Sequence, residues 1–120
     1  MNRWTLLKHE RINNEILDVH YDFLLENGQD CNTWKLLILP IIDGPSVEIF
    51  KHSNHRLVWL TTESKLLSHN RGFVKRIDHG IFTPHEVDLE SNNFSVILKG
   101  NSIKGLFKKI ANSCQLISLN

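Results

Sequence analysis

A chain of 120 residues, 41% hydrophobic and 22% charged, can bury one core without disulfides or a structural metal, so a single domain over residues 1–120 is expected. No apolar run approaches the roughly 18 residues of a membrane-crossing helix, and Met1-Asn2-Arg3-Trp4 leads into patterned sequence with no apolar leader, which makes the cytoplasm the expected compartment. A formal net charge of +1 argues against nucleic-acid binding through bulk charge and leaves only local contacts, while Cys31 and Cys114, without CxxC spacing, exclude a thiolate metal site and read as reduced thiols.

Apolar and polar residues alternate along most of the chain, which predicts a mostly β protein. The first strand is expected over Trp4 to Lys8. In the second, Leu17, Val19, Tyr21, Phe23 and Leu25 share one face, and Asp18, His20, Asp22, Leu24 and Glu26 the other, before an Asn27-Gly28 turn. Further strands are expected at Trp34 to Leu39, Val47 to Phe50, Arg56 to Leu60, Gly72 to Ile77, Phe94 to Lys99 and Gln115 to Leu119. Asp43-Gly44-Pro45 marks a loop, and the polar stretch Glu63 to Asn70 another, with a helical turn at Lys65 to Leu67. Asp78-His79-Gly80 and Lys99-Gly100-Asn101 supply turn chemistry. Ile103 to Ala111 fits helical and strand spacing, and a strand over Leu106 to Ile110 is favoured. Short strands at regular spacing imply a compact single-domain β-barrel with at most short helical segments; a sandwich is the alternative.

His20 and Asp22 lie two apart on one strand, so their side chains leave the same face at a repeat of roughly 6–7 Å. A second imidazole, from His9, completes a two-histidine, one-carboxylate set that suits Mn²⁺, Fe²⁺ or Zn²⁺ and leaves coordination positions open. Taken alone, the spacing equally describes a solvated polar face opposite an apolar one.

Leu6-Leu7-Lys8-His9, followed by His20-Tyr21-Asp22-Phe23-Leu24-Leu25-Glu26, resembles the opening signature of the 3'-phosphoesterase domain of bacterial ATP-dependent DNA ligase D and its short stand-alone relatives. The similarity continues through Thr33-Trp34-Lys35-Leu36, His55-Arg56-Leu57, Arg71 to Phe82 and Phe94 to Ile110. The resemblance implies a β-barrel with a divalent metal, Mn²⁺, that trims 3'-phosphate and 3'-ribonucleotide ends of DNA in repair, with any ligase or polymerase partner on a separate chain. It assigns the metal to His9, His20 and Asp22, and the scissile phosphate or a proton transfer to His55, a role that a near-neutral imidazole suits.

The sequence departs from the family pattern on the same strand. Leu24 replaces an arginine able to clamp a phosphate oxygen. Lys8 replaces an acidic residue, about five residues are inserted at Glu10 to Glu15, Trp59 replaces a tyrosine, and Thr62-Glu63-Ser64 replaces an acidic-glycine turn. Arg71, Arg76 and Lys51 are candidates for a substitute clamp or ordinary surface charges, with Arg71 preferred because it keeps the family match and Gly72 permits close backbone approach; His69 is a candidate accessory. His52, His79 and His85 read as solvated, and Trp4, Trp34 and Trp59 as core rather than as base-stacking platforms. The lost arginine keeps a second expectation open, a catalytically impaired barrel that binds nucleic-acid ends or another phosphorylated ligand. A small-molecule phosphatase or cupin-like barrel is a third.

Overall fold

Alternating side chains need two environments, and this chain supplies both by wrapping one antiparallel sheet around an aromatic interior and covering part of its outer face. The computed structural model describes residues 2–88 and 92–119. Its strands are β1 (Arg3–Asn13), β2 (Ile16–Asn27), β3 (Asp30–Leu36), β4 (Val47–Glu48), β5 (Phe50–Arg56), β6 (Ser64–Leu66), β7 (Phe73–Asp88), β8 (Asn93–Gly100), β9 (Lys104–Ile110) and β10 (Ser113–Ile117), with one 3₁₀ turn, η1 (Leu57–Leu60). The order is β4-β10-β9-β8-β7-β1-β2-β3-β5, with β6 paired to β7. The two edge strands, β4 and β5, are consecutive in the chain and joined by Ile49, which is fully buried and donates its N–H to Asn112 at 3.0 Å. The protein is therefore mostly β as expected, but the sheet is not closed by hydrogen bonds. The barrel is an open one. Among the described residues no helix is long and apolar enough to cross a membrane.

The inner face carries the main core. Phe23 stacks on Phe107 with centroids 4.5 Å apart and lies near Trp4 and Trp34 at 6.1 and 6.2 Å, while Trp34 meets Phe94 at 4.9 Å. Each such ring contributes about 1.5–3 kcal/mol by burial, so Trp4 and Trp34 belong to the core as the pattern implied. The outer face of β1 and β2 carries a second cluster, in which Leu7, Leu24, Cys31, Leu60 and Val74 pack with Leu57, Trp59 and Leu67.

That second cluster explains a departure from expectation. The strand expected over Arg56 to Leu60 does not form: β5 ends at Arg56 and η1 follows, because a tight turn points Leu57, Trp59 and Leu60 down onto the outer face where strand alternation would not. Where a helical turn is expected at Lys65 to Leu67, Lys65 and Leu66 instead belong to the short strand β6, which pairs with Phe73 to Lys75. Asp78-His79-Gly80 is not a turn either. It lies within the 16-residue β7, beside a bulge where Leu6 pairs with Asp78 and Leu7 with Arg76. Asp78 is buried, and its carboxylate accepts the N–H groups of His79, Asn101, Ser102 and Ile103 at 2.7–3.0 Å, which ties the β8–β9 hairpin to β7. At the start of β1, Arg3 forms a two-pronged pair with Glu26 at 2.9 and 2.8 Å.

Glu10 to Glu15 form the outer end of the long β1–β2 hairpin. Pairing runs out to Asn13 and Ile16, and the two-residue loop Asn14-Glu15 has φ of 51° and 65°, the left-handed pair that matches strand twist.

Candidate metal centre

The hairpin register decides where the histidines meet. His9 pairs with His20 and Leu7 with Asp22, and directly opposed residues share a face, so two imidazoles and a carboxylate stand together beside the outer apolar cluster. His9 Nδ1 lies 3.2 Å from His20 Nε2, with the rings edge to face at 4.6 Å between centroids. His20 Nε2 lies 3.4 Å from Asp22 Oδ1. One ligand atom from each of the three residues falls within 4.8 Å of the others.

These spacings can be tested against metal geometry. Ligands at about 2.1 Å from one ion stand roughly 3.0 Å apart at octahedral and 3.4 Å apart at tetrahedral angles. The 3.2 and 3.4 Å separations match such edges.

The surroundings orient the donors. His9 Nε2 lies 2.6 Å from the carbonyl oxygen of Arg71; the carbonyl can only accept, so Nε2 carries the proton and Nδ1 presents a lone pair toward His20 and Asp22. Asp22 is 7% exposed, and its Oδ1 is fully enclosed without a hydrogen-bond partner among the described residues. A buried carboxylate oxygen without a partner is costly. Burial pushes the Asp22 carboxyl upward, but the imidazole of His20, followed by those of His55 and His52, outweighs this and holds it below the usual carboxylate range. With His9 Nδ1 as the acceptor, His20 Nε2 carries the hydrogen that faces both His9 and Asp22, and a divalent cation that displaces this proton would take two imidazole nitrogens and a carboxylate oxygen as its donors.

His55 stands at the same carboxylate, with Nε2 3.9 Å from Asp22 Oδ2 and Nδ1 3.0 Å from the Ser53 carbonyl. His52 and Trp59 flank its ring at 5.5 and 6.4 Å.

The proposed clamps do not gather here. Arg71 contributes its carbonyl, while its guanidinium turns back to Ser68 with two contacts of 3.0 Å. Arg76 lies 3.7 Å from Glu63, and the Lys51 ammonium is held by the Thr33 and His52 carbonyls and Asn54, over the ring of Trp34. Leu24 is completely enclosed in the outer cluster, among Leu7, Cys31, Leu60 and Val74. His69 is exposed on the loop with φ of 60°, and His85 contacts Ser95 Oγ at 3.0 Å. Two contributors escaped the sequence: the Arg71 main-chain oxygen, which no residue type signals, and the enclosure of Asp22 Oδ1, which depends on the register of three strands.

No family model and no curated protein matches the sequence.

Proposed function

We propose that the protein is a divalent-metal-dependent phosphoesterase acting on 3'-phosphate or 3'-ribonucleotide ends of DNA, with His9, His20 and Asp22 as metal ligands and Mn²⁺ as the metal. The observation that carries this reading is the enclosed Asp22 Oδ1, which has no hydrogen-bond partner among the described residues and lies 3.4 Å from the His20 nitrogen that itself faces His9 Nδ1. When bound, such a metal supplies charge neutralisation at a phosphoryl oxygen and a water of lowered pKa. The residues around it have separate tasks. His9 is fixed in one tautomer by Arg71 O, Asp22 provides the negative charge, and His55, 3.9 Å from Asp22 Oδ2, is placed to contact the phosphate or pass a proton at Nε2.

The test is incubation with Mn²⁺ and a primer ending in a 3'-phosphate. A 3'-hydroxyl product that disappears in His20→Ala supports the proposal. Absence of product across Mn²⁺, Zn²⁺, Fe²⁺ and Mg²⁺ removes the enzyme claim.

A second reading has its own support, since Leu24 is apolar and enclosed and the Arg71 guanidinium is engaged by Ser68. In that reading the barrel holds metal and binds a DNA end or another phosphorylated ligand for a separate ligase or polymerase chain, without turnover. Salt-dependent binding of the primer with no product distinguishes it.

A further inference from the structure

A lysine is seldom enclosed unless a carboxylate stands beside it. β9 turns Gly105, Phe107 and Lys109 inward and Lys104, Lys108 and Ile110 outward, so Lys109 belongs to the inner face of the barrel. It is 7% exposed, and its neighbours on that face are Phe94 across β8 and Cys114 across β10. The ammonium donates to the Asn92 carbonyl at 3.1 Å and forms no ion pair among the described residues. The Cys114 thiol beside it supplies no charge, because burial pushes its pKa up to about 11. Burial likewise draws the Lys109 ammonium below its ordinary value. An enclosed cation with one carbonyl partner and no anion is costly, and a fold keeps one more readily where an anion comes to meet it.

Space for that anion adjoins the lysine. Lys109 and its partner Asn92 stand in the wall of a cavity of about 630 Å³, at the end of the barrel where the β2–β3 and β9–β10 turns lie. Trp34, Phe94, Phe82, Val96 and Leu25 supply an apolar wall, and Phe94 is directly opposite Lys109 with Trp34 4.9 Å from it between ring centroids. The other charges at the cavity leave it net positive. Lys51 lies over the Trp34 ring, with its ammonium on the carbonyls of Thr33 and His52 and on Asn54, so it adds charge but has its three N–H groups engaged. Glu26 is neutralised by Arg3, which holds both of its oxygens at 2.8–3.0 Å.

This set of groups selects its ligand. One ammonium with N–H groups to spare matches a single negative charge, whereas a phosphate dianion with three oxygens calls for several donors or an arginine fork. The aromatic and aliphatic wall calls for an apolar body. We propose that this cavity binds a small monocarboxylate with an apolar body, its carboxylate on the Lys109 ammonium and its body against Phe94, Trp34 and Val96. His20 and Asp22 are on the opposite face of the sheet, so the site does not depend on the metal centre.

The experiment is calorimetric titration of the full chain with octanoate and, in parallel, with 1-octanol, which has the same chain length and no charge, and with inorganic phosphate. Octanoate is expected to saturate at one per chain and to bind about 10- to 150-fold more tightly than 1-octanol, the worth of a charge-assisted hydrogen bond. Lys109→Met is expected to weaken octanoate by the same factor and leave 1-octanol unchanged. A measurement on the native chain locates the site without any variant: in ¹⁵N-correlated NMR, octanoate should shift the backbone signals of Phe94 and Asn112 and leave those of Leu39 and Ile103, at the other end of the barrel, in place. Octanoate that does not saturate in the millimolar range, or that shifts Leu39 and Ile103 instead, overturns the site. Equal binding of 1-octanol overturns the role of Lys109, and displacement of octanoate by equimolar phosphate overturns the choice of a monocarboxylate.

Discussion

Replacing Gly72 by alanine perturbs the candidate metal centre without touching a proposed ligand. Gly72 adopts φ of +100°, and a Cβ built there falls inside van der Waals contact with the Glu10 carbonyl oxygen and 3.0 Å from Arg11 Cβ. Both obstacles belong to β1, the strand that carries His9, and the nearer is backbone that cannot rotate away. For ordinary contacts of about 3.5 Å, the 67–72 turn would have to retreat by roughly 1.4 Å. Such a retreat strains the Leu67 N–H to Gly72 carbonyl bond of 2.8 Å and draws the Arg71 carbonyl from His9 Nε2. A side chain at a left-handed backbone position costs about 1–3 kcal/mol and a weakened hydrogen bond about 1 more, so Gly72→Ala is expected to lose about 2–4 kcal/mol in urea unfolding. Releasing the tautomer of His9 is expected to reduce Mn²⁺ affinity about 10- to 100-fold, the usual effect of removing a hydrogen bond behind a histidine ligand. Calorimetric titration of the folded variant with Mn²⁺ reads the second effect separately from the first. A variant with unchanged stability and unchanged Mn²⁺ affinity refutes the claim that the turn buttresses His9.

Three further outcomes follow from the packing. Asp78→Ala removes the acceptor of four backbone N–H groups in one step and is expected to cost about 2–5 kcal/mol by urea unfolding; a loss below about 1 kcal/mol would mean water replaces the carboxylate. Leu24→Ala, at a fully enclosed site, is expected to cost about 2–5 kcal/mol, and a near-neutral result would show that the outer cluster collapses around the gap. Hydrogen bonds from Arg3, against the opposing effect of burial, hold the Glu26 carboxyl at about 2 against its ordinary 4.5. A depressed carboxyl stabilises the fold above its unfolded pKa, so this contribution is full above pH 4.5 and fades as pH falls toward about 2. Arg3→Ala should flatten that part of the acid-unfolding profile, and an unchanged profile contradicts the pairing.

Much of the architecture was legible because period-two alternation is a direct consequence of strand geometry. The two faces of β2 assigned from Leu17 to Glu26 are the faces observed, with Phe23 and Leu25 in the aromatic interior and His20, Asp22 and Leu24 outside. Where alternation stopped being informative, expectation failed. Leu57 to Leu60 is a continuous apolar run, compatible with a buried strand or with a turn laid over a second core, and only the existence of that core decides between them. Asp78 carried the chemistry of a turn residue, yet the turn it stabilises lies more than 20 residues away, at Asn101 to Ile103.

The site divides in the same way. The His20 and Asp22 spacing was visible, but its partnership with His9 depends on hairpin register, fixed by the Asn14-Glu15 loop. Arg71 was expected to act through its guanidinium and instead meets His9 through its main chain, because the positive φ values of His69 and Asn70 curl the loop so that the carbonyl faces β1. Such contacts follow from backbone path and leave no trace in residue type.

The most direct test of the metal centre is the electron paramagnetic resonance signal of aqueous Mn²⁺ during titration with the protein. The free-ion signal is expected to fall with one ion bound per chain, and His20→Ala and Asp22→Ala are each expected to restore it while remaining folded. Mn²⁺ that stays free in the presence of the native chain, or binding that survives both substitutions, would contradict it.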